Sequence, residues 1–169
     1  MMAVMDRAIA IAAALLLAGT AAAAEHPAGS LEQTALMVER FGARFATVSP
    51  QMADGIEDLY AADLVFRDPV TTLTGIDAMR DYLRHFGATA PGARFVITDT
   101  VVEPGNAVVF WTMTFADGAS SIDGVSHMRV GERITAERDY FDLGEVYDRV
   151  PLLNWFTGLV KSRLAPPTQ

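Results

Sequence analysis

Between residues 30 and 45 small and apolar positions return every third or fourth residue: Leu31, Thr34, Ala35, Val38, Phe41, Gly42 and Phe45. That is the stripe of an amphipathic helix. Ser30 supplies a hydroxyl N-cap with Gln33 three residues on, the pattern of a reciprocal capping box. Ser49-Pro50 closes the segment, because a residue before proline is pushed out of helical dihedrals. A second, short helix is expected over 53–60, with Ile56, Leu59 and Tyr60 on one side, before "AADLVFRDP" becomes extended. Helical spacing resumes over 75–86 through Ile76, Met79, Tyr82, Leu83 and Phe86, and Gly87 reads as its stop.

After Gly92 the period drops to two. Alternating segments at 94–102, 107–115, 120–130 and 133–142 are separated by Pro104-Gly105-Asn106, Asp117-Gly118 and Gly131-Glu132. Turn dipeptides between alternating runs are hairpin signals, so the second half is expected to be a four-stranded antiparallel meander. Helices followed by a sheet predict an α+β domain in which a curved, mixed or antiparallel sheet wraps around the N-terminal helices.

The two ends are made of different material. Arg7 leads into "AIAIAAALLLAGTAAAAEH", an apolar run followed by small residues. This is the composition of a secretory signal peptide, shorter than the ~20 residues of a membrane-spanning helix. Cleavage just before Ala24 or Glu25 is expected, giving a leader at 1–24, a single domain at 25–148 and a secreted, periplasmic product. The remaining 149–169 holds Leu152, Leu153, Trp155, Phe156, Leu159 and Val160, an apolar tail or short helix expected to pack on the domain or on a second subunit. Only Lys161 and Arg163 could meet anionic lipid there, so membrane contact beyond the leader is not expected.

Composition narrows the chemistry. The 169 residues carry a formal charge of -8 with a sequence pI near 4.7, which disfavours binding to a phosphate backbone and so argues against nucleic acid. There are three histidines and no cysteine, without metal-ligand spacing. "GVSHM" lacks the second glycine of a nucleophile elbow, and there is no nucleotide-binding glycine loop. Neither a metal nor a cofactor is implied.

Period two makes strand faces readable. Trp111, Met113 and Phe115 share one face; Val108, Phe110, Thr112 and Thr114 share the other. On the last strand Arg133, Thr135, Glu137, Asp139 and Phe141 oppose Ile134, Ala136, Arg138, Tyr140 and Asp142, and hydrophobicity does not choose between those faces.

"LYAADLVFRDPVTTLTG", the helix "IDAMRDYLRHF" and "GVSHMRVGERITAERDYFD" together resemble the nuclear transport factor 2-like superfamily, in particular its SnoaL-like and ketosteroid isomerase-related branch. The resemblance covers about residues 31–142. It implies a cone-shaped, cystatin-like roll with an internal apolar pocket, a hydrophobic small molecule as ligand, and a homodimer formed through the sheet. The isomerases place an aspartate before proline as the base at the pocket mouth, and Asp68 in "FRDP" matches it. Their oxyanion hole is a tyrosine and a protonated aspartate; these positions fall at Phe41 and Ser126, which do not match. Pocket-lining positions map onto Trp111, Met113, Phe115, Tyr82 and Phe141. The same register turns Glu137 and Asp139 inward, where the isomerases are apolar, whereas SnoaL-like members often carry a run like Asp139-Tyr140-Phe141-Asp142.

A carboxyl in an apolar cavity has its charged form disfavoured, and a second carboxyl nearby disfavours double ionisation further. One of Asp68, Glu137 and Asp139 is therefore expected to keep its proton near neutrality, giving an acid and a base in one pocket, with Tyr82 and Ser126 as donors to a developing oxyanion. Such a pocket suits a cofactor-free isomerase, dehydratase or cyclase. Other readings stand beside it: a non-catalytic carrier of a lipid-like ligand, or a dimeric interaction domain. Asp68 could simply accept turn hydrogen bonds. Glu137 and Asp139 could pair with Arg67, Arg94, Arg129 or Arg133, or face a wet rim. His127 is expected to point outward, His85 to sit near a helix end, and His26 to belong to a disordered start.

Overall fold

The computed structural model describes residues 26–118 and 120–147; the expected leader and most of the expected tail lie outside the described residues. Helix α1 spans Leu31–Phe45 and opens on the capping box: Gln33 N–H donates to Ser30 Oγ at 3.1 Å, and Ser30 N–H donates to Gln33 Oε1 at 2.8 Å. Its inward stripe is Met37, Val38, Phe41 and Phe45. Thr34, fully buried, accepts the Gly105 N–H at 3.0 Å and so fastens the helix to a sheet turn.

Strand β1 (Tyr60–Arg67) and the short β2 (Thr72–Thr74) form a hairpin, helix α2 follows at Ile76–Thr89, and β3 (Arg94–Glu103), β4 (Asn106–Thr114), β5 (Ser121–Val130) and β6 (Ile134–Phe141) make the expected meander. A last helical turn, α3, spans Leu143–Tyr147. The sheet runs β2-β1-β6-β5-β4-β3. Every neighbour is antiparallel except β1 and β6, whose parallel pairing brings Phe66 beside Glu137 and Arg67 beside Arg138. The open, mixed sheet curls around α1 and α2, which matches the expected cone-like α+β roll.

Three local expectations are corrected. Residues 53–60 are not one helix. Two 3-10 turns, Pro50–Ala53 and Ile56–Asp58, flank Gly55, whose φ of 65° is left-handed and breaks the helical path. Tyr60 then enters β1 and faces the core. Gly87 is not a stop: α2 continues to Thr89, and a Cβ at Gly87 would come within 2.3 Å of the Ser49 backbone. The glycine is there so that helix and 3-10 turn can touch. His26 is not adrift; its Nε2 lies 2.9 Å from Asp63 Oδ2, in a segment where Gly29 N–H also donates to Val130 O. His127 sits half-buried on the outer side of β5, with Nε2 2.7 Å from Asn106 Oδ1, and His85 is exposed near the end of α2.

A β-bulge between Arg129 and Val130 resolves the ambiguity of the last strand. It resets the phase so that Ile134 is buried near the strand start, while Glu137, Asp139 and Phe141 further along face inward.

Candidate active site

Between the helices and the concave face of the sheet lies a cavity of about 330 Å³. Its wall is mostly aromatic. Ring contacts run without a break from Phe66 to Tyr82 (5.1 Å), Phe86 (6.4 Å), Phe95 (6.3 Å), Trp111 (4.9 Å) and Phe141 (6.4 Å), with Phe45 and Phe41 joining at Phe95. Met113 and Phe115 also line it, so the residues expected to form a pocket wall all do. A larger, more open groove of about 750 Å³ beside α1 is lined in part by Arg40 and Arg44; Arg44 spends its guanidinium on the carbonyls of Met52 and Gly55, which makes it part of the framework.

Three carboxyls gather on the β1–β6 side of this cavity, where the parallel pairing sets Phe66 beside Glu137 and Arg67 beside Arg138. Asp68 directly follows β1 and is 8% exposed. Its Oδ1 accepts the N–H groups of Val70 (2.7 Å) and Thr71 (2.5 Å), and its Oδ2 accepts the Tyr82 hydroxyl at 2.8 Å. The turn reading and the pocket reading of Asp68 are thus both satisfied, one by each oxygen. Burial and the Asp68 charge push the Tyr82 phenol far above its ordinary range, so it stays a donor.

On the neighbouring strands, β5 and β6 bring Ser126 opposite Asp139 and Met128 opposite Glu137. A directed chain of hydrogen bonds results. The Trp111 indole, which can only donate, gives its N–H to Ser126 Oγ at 3.0 Å; Ser126 therefore spends its one proton on Asp139 Oδ1, at 2.6 Å. From the far side the fully buried Tyr60 donates to Glu137 Oε2 at 2.6 Å. The two carboxyls hydrogen-bond each other between these supports.

Burial holds the Glu137 carboxyl well above the usual carboxylate range, and the Asp139 charge adds to it. Burial likewise raises Asp139, to about 7, against the opposing hydrogen bonds from Ser126 and Glu137. Near neutrality the pair shares one proton, carried by Glu137 and given to Asp139. Within this pair Glu137 is the carboxyl that keeps its proton.

Two expectations change. Tyr82 and Ser126 cannot serve as resting donors to an oxyanion, because each spends its hydrogen on a carboxylate. Nor do Glu137 and Asp139 pair with arginines: among the described residues their hydrogen-bond partners are Tyr60, Ser126 and each other, and Arg67, Arg94, Arg129 and Arg133 are exposed.

Two contributors escape the pattern of the sequence. Tyr60 hides in an apparent helical stripe. Gly124, on β5, would place a Cβ 2.2 Å from the Trp111 ring, so its missing side chain is what lets the indole lie flat across the strand and reach Ser126. A lone glycine within an alternating run is the available signal for such an approach.

The SnoaL-like domain family matches residues 38–137, which contain every element from the body of α1 to Glu137. An NTF2-like protein of unknown function from Mesorhizobium loti is 30% identical, with 69% of this chain and 97% of that chain covered and a TM-score of 0.58. A Jannaschia sp. CCS1 protein, provisionally classed as a SnoaL-like polyketide cyclase, is 16% identical over 70% of this chain and 92% of its own, with a TM-score of 0.62. A protein of ketosteroid isomerase-like fold from Catenulispora acidiphila, solved in complex with trimethylamine, is 19% identical over 67% and 90%, with a TM-score of 0.55. At those last two identities the likeness is one of fold. No functionally curated protein matches the chain.

Proposed function

Since the chain belongs to the SnoaL-like domain family, we propose that it is an acid/base enzyme of the isomerase, dehydratase or cyclase type, working without a cofactor on a small, largely apolar molecule. The observation that carries this reading is the Glu137–Asp139 pair set into an aromatic cavity. Asp139, at about 7, is the proton acceptor, matched to work near neutral pH. Glu137 holds the proton that can be returned, and this is the side-chain hydrogen of the pair that can be redirected to substrate as Asp139 takes up another. Asp68, near enough for its charge to raise Asp139, supplies a further carboxylate held in position by Tyr82 and the Val70 and Thr71 N–H groups.

The test is proton exchange. Incubated in heavy water with a panel of apolar ketones, enones and hydroxy ketones, the protein should introduce deuterium beside the carbonyl of at least one compound, detected by mass spectrometry. Asp139→Asn should abolish that exchange with the fold and ligand binding retained. Exchange that persists in both Asp139→Asn and Glu137→Gln would refute the assignment, and binding without exchange in any member of the panel would favour a carrier.

Secretion to the periplasm through a leader at 1–24 belongs to the same proposal, as does a homodimer formed on the outer sheet face. There Phe110, Val125 and Tyr140 form one row across β4, β5 and β6, and Val96 and Val101 stand exposed on β3. A contiguous apolar stripe on a sheet surface favours burial against a second copy.

A further inference from the structure

Resting on the reading that this cavity receives the substrate, we propose that the molecule it takes is a cation: a protonated amine or quaternary ammonium group on a small apolar body. The inference comes from counting what the wall can offer each sign of charge. Three carboxyl residues, Asp68, Glu137 and Asp139, line the cavity, and among the described residues no lysine, arginine or histidine does. The basic side chains of the neighbouring strands, Arg67, Arg94, Arg129, Arg133 and Arg138, are all exposed.

The polar hydrogens of the wall are already committed. Tyr82 donates to Asp68, Trp111 to Ser126, Ser126 to Asp139, and Thr89 to backbone carbonyls of its own helix. An anionic ligand would therefore meet carboxyls and occupied donors, and would have to break a buried hydrogen bond to gain one. A cation meets the reverse. Ring faces carry negative potential, and an unbroken belt of them lines the cavity that Asp68, Glu137 and Asp139 share. An ammonium group placed at the clustered carboxyls meets ring faces as well, while its apolar body displaces water from the belt. The net charge of -8 attracts cations from a distance as well.

Three near-isosteric probes decide it: 2-phenylethylammonium, 2-phenylethanol and phenylacetate, each titrated calorimetrically into the full chain at pH 8, where Asp139 is ionised. The ammonium ion should bind at least about tenfold more tightly than the alcohol, the order of gain expected for a cation held by rings and a carboxylate out of water. Phenylacetate should bind most weakly. In Asp139→Asn the preference for ammonium over alcohol should shrink severalfold, with alcohol affinity kept as the sign that the cavity is intact. Asp68→Asn offers the same comparison at the neighbouring carboxyl, should the first variant fold poorly. Equal affinities of ammonium and alcohol, or tighter binding of phenylacetate, would overturn the cationic class and leave the acid/base reading standing. Failure of all three probes to bind would remove the cavity as a ligand site and take both readings with it.

Discussion

Replacing Asp139 by asparagine keeps the side chain's shape and removes its titration, so the variant isolates one group's contribution to stability. The Asp139 carboxyl is raised from 3.8 to about 7 in the folded protein. Between those values the folded chain holds a proton that the unfolded chain releases, and stability therefore falls as pH rises. The contribution is fully present below about pH 4 and is lost by the time pH has passed 7. At about 1.4 kcal/mol per pH unit the loss is about 4 kcal/mol. That figure is an upper bound on the difference between the two proteins, because the Asp139 charge also raises Glu137. With that charge gone, Glu137 ionises earlier and introduces a pH dependence of its own into the variant. Urea unfolding followed by far-ultraviolet circular dichroism at pH 4.5, 5.5, 6.5 and 7.5, at constant ionic strength, gives both stability curves. The asparagine variant should gain on the parent steadily across this range, by at least about 1.5 kcal/mol between the end points. Parallel curves would mean that Asp139 titrates alike in folded and unfolded chains, and the argument for a buried, proton-sharing pair would fail.

Other changes probe the supports of that pair. Tyr60→Phe should destabilise the fold by about 1–3 kcal/mol, the cost of a buried Glu137 oxygen left without its donor, measurable by the same urea titration; a change under about 0.5 kcal/mol would show the bond to be idle. Gly124→Ala drives a methyl group into the Trp111 ring and should cost about 1–3 kcal/mol as the indole gives way. Its crystal structure should show the Trp111–Ser126 bond lengthened or broken, and an unmoved indole would refute the packing argument. Phe110→Asp, on the exposed row of the outer face, should lower the sedimentation coefficient from dimer to monomer without altering the circular dichroism spectrum; an unchanged oligomeric state would exclude that face as the contact.

Much of the fold was legible because its signals are local. Ser30 and Gln33 announce the start of α1 within four residues, and the alternation through Trp111, Met113 and Phe115 orients β4 without outside help. Where the sequence misleads, a distant partner has decided the outcome. Ile56, Leu59 and Tyr60 are spaced like a helical face, but Ile134 N–H donates to Leu59 O and Tyr60 is paired in the sheet, so β6, more than seventy residues away, draws the segment into β1. Gly87 has the look of a helix stop because glycine serves two purposes, ending a helix and permitting close approach, and only the Ser49 backbone beside it reveals which one applies. Glu137 and Asp139 faced either way by hydropathy, since a bulge sets the phase of their strand and a bulge leaves no mark in a hydrophobic pattern.

The same distinction governs the chemistry. Residue type alone marked Tyr82 and Ser126 as free donors, as any exposed hydroxyl in a pocket would be. Their partners, Asp68 and Asp139, lie 14 and 13 residues away along the chain, and the capture of each proton follows from the tertiary fold. Once those hydrogens are spent, the cavity changes character: it ceases to be a ready oxyanion hole and becomes an acceptor-rich enclosure whose mobile proton resides on Glu137. Phe41 and Ser126, the positions that the family resemblance aligns with the tyrosine and aspartic acid of the isomerases' oxyanion hole, point the same way. A reaction here must then draw its acid from the carboxyl pair, and a substrate that brings its own positive charge would meet that enclosure without asking it to rearrange.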